Sequence, residues 1–417
     1  MPDTGRLREW IQGAMPATLA LLEEMVAINS WTGNPEGVNR LGRLTAERFA
    51  PLGFGASFVP SRNPAWGNHL FLHRPGRAAL RLLLVSHLDT VFPAEEEERN
   101  NFHWQPEGER IFGPGVIDIK GGTAMAWLVL QGVQVLDRAL FDEVDWLVAL
   151  NASEETLSGH FGEVCREQLT PHTRAALVFE GEHRQDGVRQ LVVARKGRLT
   201  FRLKVSGRAA HAGGQHARGA NAIRQLARLV ERVEAWSDPA RGLTVNVGTI
   251  RGGGSYNRVP HAAEAEGEFR CFDPAVQEQT RQALLALAGP GDLRAASDGW
   301  ACRVEVELPD RSPAWPRNPG SEALYRIWSE TGTALGDRLA REERGGISDG
   351  NLLCAHVPTI DGLGPGGDND HCSERSPDGS KLPEYLDVRS FVPKALLNVL
   401  AIAQLCRGGN LPAPRGS

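Results

Sequence analysis

The chain has 417 residues, of which 41% are hydrophobic and 23% are charged, a composition typical of soluble globular proteins. Its 46 basic and 51 acidic residues give a formal charge of −5, so it lacks the basic excess with which general nucleic-acid-binding proteins neutralise phosphates. A chain of this length exceeds one ordinary core and predicts two domains.

Cysteine usage and the absence of long apolar runs favour an intracellular protein. Residues 1–10 are charged and contain no apolar signal core, and no apolar run approaches the roughly 20 residues of a membrane-spanning helix. The six cysteines have no short paired spacing, which favours free thiols over a zinc knuckle. The sequence therefore predicts a cytoplasmic protein with no membrane or nucleic-acid partner.

Helices alternate with apolar strands along the first part of the chain. This alternation predicts an α/β layered domain whose sheet is largely buried. The charged run 95–101 is interpreted as a solvated loop. In chain order, the predicted elements are helices over 7–28 and 39–50, strands over 56–59 and 69–73, an apolar strand ending near His87, a helix after Asp118, and strands over 144–150 and 175–179.

The pattern changes near Arg195, where apolar and polar residues begin to alternate as in antiparallel strands with one wet face. The fold class is therefore an α/β domain with a mainly parallel, helix-flanked sheet, formed by 1–195 and 307–417. A smaller α+β domain over 196–306 interrupts it. The later elements are predicted as strands over 199–205, 243–250 and 263–272, and helices over 222–236, 276–287, 322–332 and 393–405.

Two groups of candidate metal ligands occur near the first buried strand. His87 and Asp89 are two residues apart, so on a strand they share a face, and one can bind a metal while the other orients its ring. Asp118 lies in the glycine-rich stretch 113–122, which lets the backbone turn sharply and approach a ligand closely. Asp118 could alternatively cap the helix that follows.

Further candidates follow apolar strands or lie in a glycine-rich loop. Glu154, Glu155 and Glu180 come after two predicted strands, where open α/β sheets bind ligands, and His371 lies in the loop 364–374. Singly, each could be an ordinary polar surface residue, so the prediction depends on their joint placement. Two imidazoles and three carboxylates suit two divalent cations with one shared carboxylate. Such a pair can hold and acidify a bridging water, which leaves Glu154 as the general base.

These motifs resemble one enzyme family, in the same order along nearly the whole chain. The family is the co-catalytic zinc metallopeptidases of the aminoacylase, acetylornithine deacetylase and succinyl-diaminopimelate desuccinylase superfamily, and the likeness is greatest to its glutamate carboxypeptidase branch. The matching phrases are Ser86-His87-Leu88-Asp89-Thr90-Val91, the stretch from Gly113 to Gly122, Ser153-Glu154-Glu155, the distal His371, and Gly207 to Gly213 in the insert.

The resemblance implies a role for each candidate. The domain over 196–306 would be a lid or dimerisation domain, and the protein a homodimer. The implied roles are His87 and Glu180 on one zinc, Glu155 and His371 on the other, Asp118 bridging, Asp89 orienting His87, Glu154 as base, and a cis peptide bond between Asp118 and Ile119.

The resemblance also implies functional residues in the insert. His211 looks like the family's lid histidine, which reaches the partner subunit's active site and stabilises the oxyanion, although it could be an ordinary turn residue. Asn257 looks like the lid asparagine. Arg270 resembles an arginine that holds the substrate's carboxylate, a task that suits a planar guanidinium. Arg311 is a further candidate whose role could equally be on the surface.

The sequence therefore predicts a two-zinc hydrolase that cleaves an amide bond of an N-acyl amino acid or small peptide. Cobalt or manganese would also suit the ligands. A deacylase of the acetylornithine or succinyl-diaminopimelate type, or a dipeptidase, would share every ligand. A metal-binding regulatory protein without turnover is disfavoured, because it needs no base such as Glu154. The acidic loop Asp368 to Glu374 departs from the family pattern and leaves the acyl group and the amino acid open.

Overall fold

The computed structural model describes residues 4–156, 159–408 and 411–412 of the chain. The helices are α1 (Thr4–Val26), α2 (Pro35–Phe49), α3 (Ala94–Arg99), α4 (Lys120–Leu136), α5 (Arg138–Glu143), α6 (Gly159–Gln168), α7 (Ala222–Glu234), α8 (Pro274–Leu285), α9 (Pro319–Ala334), α10 (Gly350–Leu353) and α11 (Phe391–Arg407). The strands are β1 (Gly55–Pro60), β2 (Asn68–Arg74), β3 (Arg81–His87), β4 (Gln105–Glu107), β5 (Arg110–Phe112), β6 (Asp145–Asn151), β7 (Thr173–Val178), β8 (Arg184–Gln185), β9 (Val188–Arg195), β10 (Gly197–Ser206), β11 (Thr244–Gly252), β12 (Ala262–Cys271), β13 (Gly289–Arg294), β14 (Ala301–Glu307), β15 (Arg311–Ser312), β16 (Leu339–Arg344), β17 (Thr359–Ile360), β18 (Gly367–Asp368) and β19 (Tyr385–Asp387).

The chain divides into two compact units. The large unit comprises residues 1–193, 317–343 and 348–417, and the insert unit comprises 194–316 and 344–347. The sequence analysis had placed the second boundary at 306/307, ten residues earlier. The difference has a structural cause, because β15 pairs with β10 and so keeps the chain in the insert's sheet beyond that point.

The main sheet of the large unit has the strand order β1-β2-β6-β3-β7-β17. Three of its five pairings are parallel, namely β6 with β3, β3 with β7 and β7 with β17. The other two pairings, β1 with β2 and β2 with β6, are antiparallel. The parallel strands therefore point their carboxyl ends toward one edge. His87 and Asn151 are partners in this register, so they end β3 and β6 side by side.

Both faces of this sheet are buried, which explains why its strands read as continuous apolar runs. Leu82 and Leu84 of β3 join the core that α1, α4 and α11 complete. Leu83 and Val85, with the opposite orientation, join a smaller cluster on the other face that includes Phe161 of α6. The strands are thus held on both sides, which fixes the positions of the polar residues at their ends.

Two elements differ from the sequence predictions. The charged run interpreted as a loop forms helix α3 over Ala94–Arg99, with three glutamates in its first turn. Acidic side chains there are favoured by the helix dipole, and this local preference outweighed the lack of an apolar face.

By length and composition, Val388–Arg407 could span a membrane, and 67% of it is buried inside the protein. Burial of that extent is typical of a core helix.

The insert unit is an α+β fold with its own apolar core. Its sheet has the order β11-β12-β10-β14-β13, with β15 pairing with β10. The pairings are antiparallel, and β10 alternates buried and half-buried residues as its sequence predicts. Helix α7 packs on β12, β10 and β11, and its buried Leu226 and Val233 contribute to the core.

A buried ion pair fixes the segment after β7. Glu182 Oε1 lies 2.8 Å from Lys394 Nζ of α11, and both side chains are completely buried. The backbone N–H of Glu182 also donates to the carbonyl of Pro365 at 2.8 Å. Since Glu180 lies two residues earlier, these contacts hold one of the candidate ligands in place.

We expect Glu182→Gln to lower the free energy of unfolding by about 3–5 kcal/mol, because it removes the charge that compensates the buried Lys394 ammonium. Denaturant unfolding followed by circular dichroism measures this loss. The matched control is Glu163→Gln, whose carboxylate pairs with Arg62 at the surface, so its loss should lower the free energy of unfolding far less. Equal losses in both variants would contradict the assignment.

Candidate active site

Three candidate ligands meet at the carboxyl edge of the main sheet. His87 Nε2 lies 2.9 Å from Asp118 Oδ1 and 3.8 Å from Glu180 Oε1. The ring is fully buried, and its Nδ1 lies 3.4 Å from Asp89 Oδ1 and 3.0 Å from the Asp89 carbonyl. His87 can therefore present Nε2 to a metal while Asp89 orients the ring from behind.

A second group shares Asp118 with the first. His371 Nε2 lies 3.2 Å from Asp118 Oδ2 and 3.2 Å from Glu155 Oε2. In both groups one ligand atom per residue lies within 4.8 Å of the others. Asp118 uses its two oxygens for the two groups, so the arrangement corresponds to a bridging carboxylate. The Asp118–Ile119 peptide bond is cis, as the resemblance implied.

The donor set fits two divalent cations. Glu155 Oε1 is buried and has no hydrogen-bond partner among the described residues. Burial raises the pKa of Glu155 to about 7, and hydrogen bonds to Asp118 and Glu155 raise the pKa of His371 to about 11. Burial acts to lower the pKa of His87, but Asp118 and Asp89 outweigh it and the net pKa is raised well above its usual value. Imidazole and carboxylate groups thus face each other at positions where cations would bind by displacing protons.

Glycines allow the approach that brings Asp118 to Glu180. A Cβ on Gly122, in the first turn of α4, would lie 2.0 Å from the carbonyl oxygen of Phe179. That distance is far below any contact between real atoms, so only glycine lets α4 begin against the end of β7. The glycine-rich stretch therefore serves close packing, in agreement with the sequence interpretation.

Four consecutive backbone N–H groups hold the turn that carries the acidic pair. Ala152 N donates to His69 Nδ1 at 3.1 Å, and Ser153 N donates to Asn151 Oδ1 at 3.0 Å. The N–H groups of Glu154 and Glu155 donate to Asp89 Oδ1 and Oδ2 at 3.0 and 3.2 Å. Thr32 Oγ1 also donates to Asp89 Oδ2, at 2.7 Å. Asp89 therefore orients the acidic turn as well as His87.

Glu154 lies in this turn beside the two groups of ligands. Burial raises its pKa well above the usual value, and His87 opposes the effect while Asp349 and Glu155 add to it. A carboxylate with a raised pKa takes up a proton more readily than an exposed one. The site thus combines two adjoining groups of candidate metal ligands with a carboxylate of raised pKa that belongs to neither group.

The chain matches known proteins in sequence over most of its length. Residues 193–288 match the M20 peptidase dimerisation domain. The chain is 27% identical to carboxypeptidase G2 of Pseudomonas sp. (strain RS-16), over 91% of this chain and 87% of that protein. It is 24% identical to acetylornithine deacetylase of Klebsiella pneumoniae (strain 342), over 94% of this chain and 98% of that protein.

The chain is homologous to carboxypeptidase G2 and to acetylornithine deacetylase. The resemblance seen in the motifs is therefore confirmed. The prediction of an enzyme is confirmed as well, because the named homologues are hydrolases.

Solved structures confirm the fold class. A tripeptidase from Staphylococcus aureus has a TM-score of 0.72 at 22% identity, covering 94% of this chain and 99% of that chain. A dinuclear metal-binding peptidase of the M20 family from Bacillus subtilis has a TM-score of 0.62 at 14% identity, covering 93% of this chain and 98% of that chain. The protein thus has a sheet-rich α/β architecture with a separate domain that matches the peptidase dimerisation domain.

One buried carboxylate, that of Glu384, does not follow from the sequence pattern. Glu384 is fully buried, and its Oε1 accepts from the N–H groups of Ile117 and Asp118 at 2.8 and 3.1 Å. Burial raises the pKa of Glu384 to about 8. Glu384 supports the backbone of the shared candidate ligand, but it follows Pro383 just beyond the polar stretch 375–381, where no periodic pattern predicts a buried carboxylate.

The insert unit contains the remaining candidates. His211 is exposed, and its Nδ1 accepts from the N–H groups of Gly213 and Gly214 at 3.2 and 3.0 Å, which places the ring proton on Nε2. Asn257 lies on the neighbouring segment, and its backbone carbonyl accepts a hydrogen bond from the backbone N–H of Ala212 at 2.9 Å. His211 is therefore arranged as a hydrogen-bond donor, the form that an oxyanion requires.

The two arginine candidates in the insert unit already have partners. Arg270 donates through Nε and Nη2 to Glu268, at 2.7 and 3.2 Å, and through Nη1 to the Gly345 carbonyl at 3.2 Å. Arg311 contacts Gln277 at 3.3 Å and Glu278 at 3.7 Å. A substrate carboxylate at Arg270 would have to compete with Glu268.

Buried His69 leads to a prediction about pH. Burial, with a contribution from His160, lowers the pKa of His69 from 6.5 to about 4. The unfolded chain therefore binds a proton at His69 between those values when the folded protein does not. Neutral His69 therefore makes its full contribution to the free energy of unfolding above pH 6.5. That contribution is lost as the pH falls from 6.5 to 4, which lowers the free energy of unfolding by about 3 kcal/mol.

We expect the difference in unfolding free energy between wild type and His69→Gln to shrink by up to about 3 kcal/mol from pH 7 to pH 4. Denaturant titrations at several pH values measure the difference. His172→Gln, at an exposed histidine, is the matched control for the loss of an imidazole from the chain. A constant difference for His69→Gln would contradict the prediction.

Proposed function

We propose that the chain is a two-metal amide hydrolase that acts on an N-acyl amino acid or a small peptide, as a glutamate carboxypeptidase does. The observation that carries the proposal is the pair of adjoining ligand groups that share Asp118, with Glu154 beside them. Homology to carboxypeptidase G2 over 91% of the chain supports the same class of reaction.

Five side chains would hold the cations. His87 and Glu180 would bind one, Glu155 and His371 would bind the other, and Asp118 would bridge them. When bound, two divalent cations supply Lewis acidity toward a substrate carbonyl and lower the pKa of an attacking water. Zinc suits the imidazole and carboxylate donors, and cobalt or manganese would suit them as well. The structurally similar protein from Bacillus subtilis is a dinuclear metal-binding peptidase, which supports the proposal of two ions.

The protein's own residues would move the protons and orient the groups. Glu154 would accept a proton from the attacking water and later donate it to the leaving amine. Asp89 keeps His87 oriented and the backbone of Glu154 fixed, so the base need not reorganise during the reaction. We further propose that His211 donates its Nε2–H to the developing oxyanion, as the resemblance implies.

Substrate binding is proposed for the insert residues Asn257, Arg270 and Arg311. Arg270 is a suitable partner for a carboxylate because its guanidinium is planar and already makes two bonds to the Glu268 carboxylate. A substrate carboxylate that displaced the Glu268 carboxylate from Arg270 would keep that geometry. An acetylornithine-type deacylase is a second candidate, favoured by 24% identity over 94% of the chain.

A substrate panel tests the proposal. Purified protein would be incubated with N-acyl-glutamate, N-acetyl-ornithine, succinyl-diaminopimelate and simple dipeptides, with and without a chelator and after zinc, cobalt or manganese is restored. We expect chelator-sensitive release of free amine, and the best substrate would name the branch. No turnover on any member by protein that holds two cations would overturn the proposed function.

We also propose that the protein is a homodimer through its insert unit and works in the cytoplasm. The match of residues 193–288 to a peptidase dimerisation domain supports the assembly. Analytical ultracentrifugation would show a mass of twice 45.3 kDa. If His211 acts across subunits, a variant that is forced to remain monomeric should keep its cations and lose activity, and an active monomer would contradict that role.

A further inference from the structure

The side chain of Asn151 has only one orientation that satisfies its neighbours. It ends β6, is completely buried, and donates from Nδ2 to Asp349 Oδ1 at 2.7 Å. Its Oδ1 accepts from Ser153 N at 3.0 Å. A carboxylate accepts hydrogen bonds and a backbone N–H donates them, so the amide must turn its NH₂ group to Asp349 and its oxygen to Ser153.

Asp349 is itself held in place by a rigid local structure. It precedes the short helix α10 and is 3% exposed. The neighbouring Ser348 donates from Oγ to Asp361 Oδ2 at 2.8 Å and from its backbone N to Asn351 Oδ1 at 3.0 Å. Asp349 Oδ2 has no hydrogen-bond partner among the described residues, so the bond to Asn151 is the contact that its carboxylate makes in the structure.

We propose that Asp349 is a positioning residue for the acidic turn and acts by fixing the amide orientation of Asn151. This inference rests on the proposed function. With the amide fixed, Asn151 holds Ser153 N, and the next two N–H groups, those of Glu154 and Glu155, reach Asp89. If the amide were reversed, its NH₂ group would face the N–H of Ser153 and the turn would lose one of its four supports. Asp349 thus sets the direction of the base and of one ligand without touching either.

A cycle of exchanged residues tests the inference. Asn151→Asp places two carboxylates against each other, and Asp349→Asn allows both amide orientations. The double variant N151D/D349N restores one donor and one acceptor facing each other, and the Asp at position 151 can still accept from Ser153 N. The measurements are kcat, KM and the stepwise affinity for Co²⁺, determined by competition with a chromogenic chelator, and unfolding midpoints confirm that each variant is folded.

We expect Asn151→Asp to lower kcat by about 100-fold and Asp349→Asn by about tenfold, each with KM changed less than threefold, in the range seen when a supporting residue is lost. One of the two Co²⁺ binding steps, that of the group containing Glu155, should weaken about tenfold or more in Asn151→Asp. The double variant should recover both quantities to within about threefold of wild type. Recovery of function by an exchange of residues separates orientation from mere packing.

The control is Asp145→Asn, at the opposite end of β6 from Asn151, where the carboxylate contacts Arg81 and His73 and not the acidic turn. It should change the unfolding midpoint but leave kcat and both Co²⁺ affinities within about twofold of wild type. A double variant no better than Asn151→Asp, or an Asp349→Asn protein with wild-type kcat and Co²⁺ binding, would overturn the inference. If wild type binds Co²⁺ but turns over no substrate, the proposed function fails, and the affinity cycle still decides the role of Asp349.

Discussion

Glu154→Gln is expected to lower kcat by about 10²–10⁴-fold while the protein keeps both cations. The amide cannot accept a proton from the attacking water, but the backbone N–H of residue 154 still donates to Asp89, so the turn is retained. Glu154 belongs to neither group of candidate ligands, which is why binding of the cations should not change. Steady-state kinetics on the best panel substrate and metal analysis by mass spectrometry measure the two quantities.

Glu163→Gln provides the control for the loss of one carboxylate from the same region of the chain. Its side chain is at the surface, paired with Arg62, and its kcat should equal that of wild type. A Glu154→Gln enzyme that retains more than about one tenth of wild-type kcat would show that another group acts as the base.

Asp118→Ala is expected to have the largest effect on cation binding. Asp118 is the one residue common to both ligand groups, so its loss removes a donor from each. Both affinities should fall by more than about 100-fold, the upper end of the loss seen for supporting residues, and activity should become undetectable. Competition with a chromogenic chelator measures both binding steps.

His371→Ala makes the comparison specific. His371 belongs to the second group alone, so this variant should lose one binding step and keep the other. A protein that loses both ions equally in His371→Ala, or only one in Asp118→Ala, would contradict the bridging assignment. Because the side chain of His371 is 52% exposed, the substitution should leave the fold intact.

The proximity of the candidate ligands could be predicted from the sequence, because the positions of several of them follow from simple periodicity. A parallel sheet collects the carboxyl ends of its strands at one edge, so the residues after β3 and β7 had to be neighbours. Asp118 and His371 were harder, since glycine-rich stretches say only that the backbone turns closely there. For these two the order of motifs in the resemblance supplied what periodicity could not.

The supporting residues could not be predicted, because each comes from a segment whose local pattern gives no reason for burial. His69 is the second residue of β2, Asp349 follows a glycine-rich turn, and Glu384 follows a proline just beyond the polar stretch 375–381. Their burial is a property of the assembled fold, where each side chain satisfies a backbone N–H or an amide from a distant part of the chain. Hydrogen bonds of this kind link positions up to 267 residues apart, so they leave no trace in a local window.

The end of the insert was misplaced for a related reason. A two-residue strand such as β15 is too short to show alternation, although its pairing with β10 keeps the chain in the insert unit. The return of residues 344–347 to that unit is likewise a tertiary effect, supported by the bond from Lys196 N to the Arg344 carbonyl.

The pairing of Arg195 with Trp315 also bears on how such proteins diversify. Each donates its N–H to the other's carbonyl, at 2.9 and 3.0 Å, so the chain enters and leaves the insert through adjacent antiparallel segments. The ends of the insert lie side by side, and the insert has its own apolar core. It can therefore be replaced as a unit without altering the spacing of the residues that flank it. Chimeras joined near these two positions, with 344–347 taken from the same donor, would replace the insert and its proposed substrate-binding residues while keeping every candidate ligand of the large unit.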